Sequence, residues 1–377
     1  MLLKILAIYP GLNPTFDEVA FALPPLLAHG CKVRVITSRM STLKSDQHCA
    51  AYEDFHGVEI FRPYIDPFEL TRNAHAHRNA VLKLAGEFAP DVLFLNSFRA
   101  LPLSHMIRRQ QSIPTLLRLE TADPLSLLQR RFYLGWPSLG RILGRVKWWR
   151  VAGHVDALMT NDPVDRPHLA QLGVRGRQAF YAGHCAQQPD GWHPAITRDK
   201  GEMIYIGSMI RHKNCDAWLD AVPAILENTP VERFTVIGRG PYEHVVKSLQ
   251  KRFGDRVCYI PGVTRQEALE KLSGAYFAYT EATSGWGFLC DAWSTRTPVL
   301  CPQSTFGIVP DSTGIMPKDR DELIAKICRL YADEDYYRAL QEGGVHRFET
   351  EHTAEIVSQQ YLNIFNDVLM HRSGSST

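Results

Sequence analysis

The sequence predicts two doubly wound, Rossmann-like α/β domains, and three observations support this. Short continuous apolar runs alternate with helical segments along most of the chain, which is how buried parallel strands joined by crossover helices read. A Gly- and Pro-bearing stretch, 187–201, interrupts the alternation once, and the pattern then restarts. At 377 residues the chain is too long for one ordinary core and fits two domains of roughly 150–200 residues.

The elements follow in order. Residues 3–9 form a first apolar strand, which makes the apolar N-terminus a buried strand rather than a leader peptide. A turn at 10–14 leads to a helix over 18–28 that ends at Gly30, with a kink expected at Pro24-Pro25. Further strands are expected at 32–37, 91–95, 115–119 and 157–160. After the linker, strands at 203–206, 233–237, 256–260, 275–280 and 297–301 alternate with helices at 216–226, 242–253 and 266–272. The end, 319–368, reads as mostly helical, and 371–377 as a polar, disordered tail. The expected divisions are an N-terminal domain 1–186, a linker 187–201, a C-terminal domain 202–349 and a helix 350–370 returning to the first domain. Ligands of such sheets bind at the carboxyl ends of the strands, so a cleft between the two domains is the expected site.

Composition excludes several classes. An apolar fraction of 45% and a charged fraction of 22% mark a globular chain, not a disordered, collagen-like or coiled-coil one. No apolar run reaches the roughly 18 residues of a membrane-spanning helix. The eight cysteines form no C-x-x-C pair; they read as free thiols in a reducing cytoplasm, with no structural zinc. Net charge is +2, but residues 1–180 hold 22 Lys and Arg against 15 Asp and Glu, while the remainder holds 20 against 25. The N-terminal half therefore carries the positive side, which suits an anionic partner or simply a solvated face.

Four motifs stand in order over about 100 residues: Ile206-Gly-Ser-Met-Ile-Arg-His-Lys213, Val236-Ile-Gly-Arg-Gly-Pro241, Arg256-Val-Cys-Tyr-Ile-Pro-Gly-Val263, and Ser284-Gly-Trp-Gly-Phe-Leu-Cys-Asp-Ala292 followed by Thr297-Pro-Val-Leu300. Together they resemble the C-terminal domain of GT-B glycosyltransferases, in particular the retaining glycosyltransferase family 4. The resemblance implies two Rossmann-like domains and a nucleotide-sugar donor held by the second.

Each motif has a physical reading. Lys213 lies just beyond a strand and before a helix, where an ammonium and helix N–H groups can hold a diphosphate; by resemblance it is the phosphate-binding lysine. Gly207 opens that turn, and Ser208 stands where the family carries Arg. Arg211 either supplies the missing guanidinium or is plain surface charge. Gly238, Gly240 and Pro241 permit close approach of a ligand, or simply make a turn and start a helix. By resemblance, Gly262, Val263 and Thr264 hold the nucleobase through backbone contacts; the bland alternative is an ordinary loop. Thr283, Ser284, Gly285, Trp286, Gly287 and Phe288 form a loop that, by resemblance, offers N–H donors to the sugar and diphosphate. Asp291 replaces the family's second Glu and accepts bonds from the ribose hydroxyls, or else favours a helix dipole from an N-terminal position. Glu281, Thr283 and Ser284 compete for the place of the first Glu.

The N-terminal half departs further from the pattern. Gly11 allows a close turn near the acceptor, although the family's Gly-Gly loop is replaced by residues 14–18. Glu120 stands where many relatives carry His. It either bonds a sugar hydroxyl or steadies an oxocarbenium-like transition state, or else is a structural partner of Arg118 or of the basic stretch 130–150. Residues 130–150 interleave Arg and Lys with aromatics, which suits an anionic membrane surface or a lipid-phosphate acceptor, or equally a lid or surface helix with its aromatics turned into the core; nucleic acid is not expected. The resemblance implies a metal-independent, retaining transfer of a hexose from a UDP- or GDP-sugar to a hydroxyl acceptor (a sugar, a lipid-linked sugar or a small molecule) in glycan, polysaccharide or glycoconjugate synthesis. Glu120, Lys213 and Asp291 are then the catalytic residues, and no cofactor is expected. A binding or partner subunit without transfer activity is the alternative, and a sugar-nucleotide epimerase or phosphorylase a weaker third.

Overall fold

The computed structural model describes residues 2–12, 21–40, 49–66, 76–119, 155–161, 178–186, 188, 192–194, 197–280, 286–301 and 307–374. The chain divides into two compact units, one of residues Met1–Gly183 with Ala354–Thr377 and one of His184–Thr353. All eight cysteines are free thiols. Among the described residues, no helix is long and apolar enough to cross a membrane.

The first unit carries an eight-stranded sheet. Its strands are β1 (Leu3–Ile8), β2 (Cys31–Ser38), β3 (Tyr52–Phe55), β4 (Val58–Tyr64), β5 (Val92–Asn96), β6 (Thr115–Leu119), β7 (Ala157–Thr160) and β8 (Gln178–Tyr181), in the order β3-β4-β2-β1-β5-β6-β7-β8. All pairings are parallel except β3 with β4. The strand order turns back on itself between β1 and β5, which makes that the switch point. Helices α1 (Pro25–Ala28), α2 (Arg78–Phe88) and α3 (Leu101–Gln110) also belong here. Pro24-Pro25 does not kink a longer described helix; it begins one, with Pro25 in the first turn where its missing N–H costs nothing.

The second unit carries a five-stranded parallel sheet in the order β11-β10-β9-β12-β13, built from β9 (Asp199–Ile206), β10 (Arg233–Ile237), β11 (Val257–Ile260), β12 (Ala275–Tyr279) and β13 (Val299–Leu300). Its helices are α4 (Cys215–Asn228), α5 (Glu243–Phe253), α6 (Arg265–Gly274), α7 (Trp286–Ser294), α8 (Arg320–Ala332) and α9 (Glu334–Arg347). Strand β9 takes in 199–201, the last three residues of the expected linker. Trp218 of α4 is fully buried, stacks on Tyr205 with ring centroids 4.4 Å apart, and meets Phe234 edge-on. This aromatic layer fastens α4 to β9 and β10, and so fixes where α4 begins.

Register then sets the site. Ile206, Ile237 and Ile260 pair side by side at the carboxyl edge, so the segments starting at Gly207, Gly238 and Pro261 emerge in one row. They are bonded to one another: Gly207 N–H to Ile237 O, Met209 N–H to Arg239 O and Gly238 N–H to Ile260 O, at 2.9–3.0 Å. A Cβ on Gly238, at φ 143°, would collide with the Gly207 carbonyl oxygen, and one on Gly240 with that of Met209.

The last helix, α10 (Ala354–Gly374), belongs to the first unit. Tyr361 and Phe365 pack against Phe94 of β5, and Gln360 accepts the Gly183 N–H at 2.7 Å. The helix includes 371–374, the described part of the expected tail. It is preceded by a π-helical turn, Phe348–His352. His352 is 1% exposed, lies against Trp286 and Trp293, and has Nδ1 2.8 Å from the His184 carbonyl oxygen.

Two outcomes follow from this packing. Gly238→Ala should lower unfolding stability by about 2–4 kcal/mol in urea titrations, because backbone, not a flexible side chain, blocks the new Cβ; a change near zero would show that the two loops are not stitched together. Burial, opposed by the bond to His184, pushes the His352 pKa down from 6.5 to about 4. As pH falls, the unfolded chain therefore binds the proton first. Stability should rise with pH between about 4 and 6.5, by up to roughly 3 kcal/mol. His352→Gln should flatten that slope, and equal slopes in both proteins would refute a buried neutral His352.

Candidate functional site

The carboxyl edge of the second sheet collects most of the residues singled out from the sequence. After Gly207 the chain makes a 3-10 turn, Arg211–Lys213, closed by Lys213 N–H to Ile210 O at 2.9 Å. Asn214 then adopts a left-handed conformation and α4 begins. This reversal places Lys213, half-buried, and Arg211, exposed, beside the start of a 14-residue helix, where the helix dipole favours anions. Cys215 behind them is buried, and its thiol is pushed up to about 11 by burial, so it is an inert wall, not a nucleophile. The Tyr205 hydroxyl donates to the Ser208 carbonyl at 3.1 Å.

The Gly238–Pro241 turn has a structural reason for its glycines. Its glycines are demanded by close approach of chain to chain, since their missing side chains face loop 207–209. The Gly240 N–H donates to Glu243 Oε1 at 3.1 Å, a bond that holds the Glu243 carboxyl below its usual range. Arg239 Nε donates to Pro261 O at 3.1 Å and ties this turn to the next loop. In that loop Gly262 is exposed, with open space where a side chain would stand. Val263 is half-buried against the core. Thr264 caps α6: its Oγ1 accepts from Glu267 N–H at 3.2 Å, and its own N–H donates to Glu267 at 2.8 Å. The Thr264 N–H thus serves the helix cap rather than a ligand.

Asp291 is the sixth residue of α7, not an N-terminal one, which removes the dipole reading. Arg265, the first residue of α6, grips it through both guanidinium ends, Nη2 to Oδ1 at 2.5 Å and Nη1 to Oδ2. Both side chains are about one-fifth exposed. This two-point grip orients the Asp291 carboxylate. Sequence reading misses Arg265. The available signal is its place directly after the capping Thr264, on the first turn of a helix that packs against α7.

Trp286, Gly287 and Phe288 form the first turn of α7 rather than a loop. The Trp286 side chain is core: it is 4% exposed and stacks on His184 at 5.5 Å. Only backbone of this residue can serve a ligand. Gly287 and Phe288 beside it are half-buried. Glu281, Thr283, Ser284 and Gly285 lie outside the described residues, as do Glu120, residues 14–18 and the basic aromatic stretch 130–150.

In the first unit, Gly11 is buried, and the next residue, Leu12, donates its N–H to Thr37 Oγ1 at 2.8 Å near the end of β2. Arg118 is 5% exposed. It donates to Asn96 Oδ1 at 2.5 Å and to Asn161 Oδ1, while Asn161 Nδ2 donates to the carbonyls of Ala182 and Gly183 at 2.9 and 3.0 Å. No sequence motif announces this network across the ends of β5, β6 and β7.

Comparisons with known proteins agree with this geometry. Residues 200–333 match the family model of glycosyl transferases group 1, about a third of the chain. No curated protein matches the chain in sequence. Among solved structures, the sucrose-phosphate synthase tll1590 of Thermosynechococcus elongatus has a TM-score of 0.76 at 16% identity, covering 98% of this chain and 100% of that one. Anabaena Alr3699/HepE, solved with UDP and glucose, has a TM-score of 0.68 at 13% identity over 97% and 100%. A putative UDP-N-acetylglucosamine 2-epimerase from Listeria monocytogenes has a TM-score of 0.60 at 14% identity over 96% and 95%. These likenesses show the fold, two Rossmann-like domains of the GT-B type.

The Arg265–Asp291 pair is testable by itself. A double-mutant cycle of Arg265→Ala and Asp291→Ala should give a coupling energy of about 1–3 kcal/mol in unfolding experiments; strictly additive effects would rule the pair out.

Proposed function

We propose that this chain is a glycosyltransferase that moves a hexose from a nucleoside diphosphate sugar, UDP- or GDP-linked, to a hydroxyl acceptor. The observation that carries the reading is the placement of Lys213. It sits in the tight turn between β9 and α4, at the carboxyl edge of the sheet and inside the segment that matches group 1 glycosyl transferases. The HepE structures solved with UDP, and with UDP-glucose, lend the donor class.

In this reading Lys213 places a point charge on the leaving diphosphate, with Arg211 alongside. The helix starts of α4 and α7 add N–H donors and dipoles, so charge that develops as the glycosidic bond breaks meets groups already in position. This supply of positive charge is the basis for proposing a metal-independent transfer. Asp291, oriented by Arg265, accepts from the ribose hydroxyls. Gly262 and Val263 offer backbone to the base. Retention of anomeric configuration, a sugar or lipid-linked acceptor, a role in glycan or glycoconjugate synthesis, contact of 130–150 with an anionic membrane face and a cytoplasmic location complete the proposal. The alternative, a binding or partner subunit without turnover, is favoured by one observation: Ser208 brings no cation where the resemblance expects Arg, and its carbonyl is held by Tyr205.

Thermal shift with UDP, GDP, ADP and dTDP, with and without magnesium, tests the donor site. At about 100 times its Kd, one nucleotide should stabilise by roughly 2.7 kcal/mol, a shift of a few degrees, and magnesium should not be needed. Lys213→Ala should raise the Kd about 10- to 100-fold, which is roughly 1.4–2.8 kcal/mol. Unchanged affinity would remove the assignment. Nucleotide binding without turnover of any nucleotide sugar would favour the partner subunit.

A further inference from the structure

At the opposite, amino end of the second sheet lies a cavity of about 340 Å³ whose lining includes Arg198, Lys200, Arg296, Tyr276, Tyr337 and Gln341. This volume falls at the lower end of small-ligand sites. Three of these residues are cations, and no described lining residue is acidic.

The charges are there for reasons of local structure. Arg198 directly precedes β9, and it lines the cavity together with Lys200, while Asp199 between them does not. Asp199 is committed to Arg233 Nη2 at 2.6 Å and to the Gly201 N–H at 2.9 Å. Arg198 is half-buried and its hydrogen-bond partners are neutral: it donates to the carbonyls of Ala275 and Thr295 at 3.0 and 2.7 Å and to Thr297 Oγ1 at 3.0 Å. It thus caps the carboxyl end of α7, whose dipole offsets about half a charge. Arg296 stands just beyond that end, since Ser294 is the last residue of α7. It holds a left-handed conformation at φ 60°, and Gln341 Nε2 donates to its carbonyl at 3.0 Å. That conformation is unfavourable for a residue with a Cβ, so the anchor from Gln341 keeps Arg296 at the rim.

The walls are the stacked rings of Tyr276 and Tyr337, with centroids 4.3 Å apart. Their hydroxyls donate to backbone, that of Tyr276 to Leu330 O at 2.9 Å and that of Tyr337 to Tyr276 O at 2.8 Å. Burial, with the charge of Glu334, raises the Tyr276 pKa, so this wall stays neutral.

We propose that this cavity is a second anion site, distinct from the donor edge, which takes the phosphate group of a phosphomonoester between Lys200, Arg296 and Arg198. A partly desolvated guanidinium with only neutral partners, flanked by two further cations, is stabilised by a dianion. The tyrosine faces then provide an apolar wall for the carbon skeleton of the ester.

The test uses the full chain carrying Lys213→Ala, so that phosphate binding at the donor edge is already weakened and failure of the donor reading is read separately. Inorganic phosphate and glycerol 3-phosphate are titrated by calorimetry. Binding should persist in this background, weaken at least tenfold when Lys200→Ala and Arg296→Ala are added, and recover with Lys200→Arg and Arg296→Lys. Arg198 is left intact because it caps a helix. Sedimentation with phosphatidylcholine vesicles containing phosphatidic acid distinguishes a lipid headgroup from a soluble ester, and either must depend on Lys200 and Arg296. No binding in the Lys213→Ala background, or binding indifferent to Lys200 and Arg296, overturns the proposal.

Discussion

Stitching of the loops after β9 and β10 governs the second unit. Three backbone bonds and two glycines hold the loop segments together, and no residue with a Cβ fits at Gly238 or Gly240. Because these loops are fixed, the turn at Arg211–Lys213 is fixed, and α4 begins where Trp218 can reach Tyr205 and Phe234. A charge on Lys213 is useful only if it waits in position, since a preorganised cation avoids the cost of reorganisation during reaction. Packing of the core and placement of the charge are therefore one problem.

Polar groups obey the same logic. Thr264 and Glu267 satisfy the start of α6 reciprocally, and this cap delivers Arg265 to Asp291. Asp291 is then a positioned acceptor instead of a mobile surface carboxylate. At the other end of α7, Arg198 satisfies the Thr295 carbonyl just past the helix exit. One short helix thus has its start at the proposed donor edge and its end at the cationic cavity.

Much of this is legible in the sequence, for a physical reason. Strands buried on both faces must be continuous apolar runs, so β1, β2, β5, β6, β7 and the strands of the second sheet stand out. The β3–β4 hairpin does not: its alternating pattern, Tyr-Glu-Asp-Phe and Val-Glu-Ile-Phe-Arg-Pro-Tyr, belongs to a sheet edge with one solvated face. Gly238 and Gly240 make the turn after β10, yet what their missing side chains face is the neighbouring loop at Gly207 and Met209, which a linear motif does not show. Trp286 lies in a motif that points to a ligand, whereas its ring is core. Arg265 and the Asn96–Arg118–Asn161 network are invisible in the sequence because each depends on contacts between segments far apart in it.

Hydrogen exchange, with and without the nucleoside diphosphate that gives the largest thermal shift, is the decisive experiment for a donor site at the carboxyl edge. Backbone amides at Gly207–Lys213 and Trp286–Phe288 should gain protection, with little change at the amino end of the sheet. Protection confined to other segments, with these amides unchanged, would contradict a donor site built on Lys213 and the start of α7.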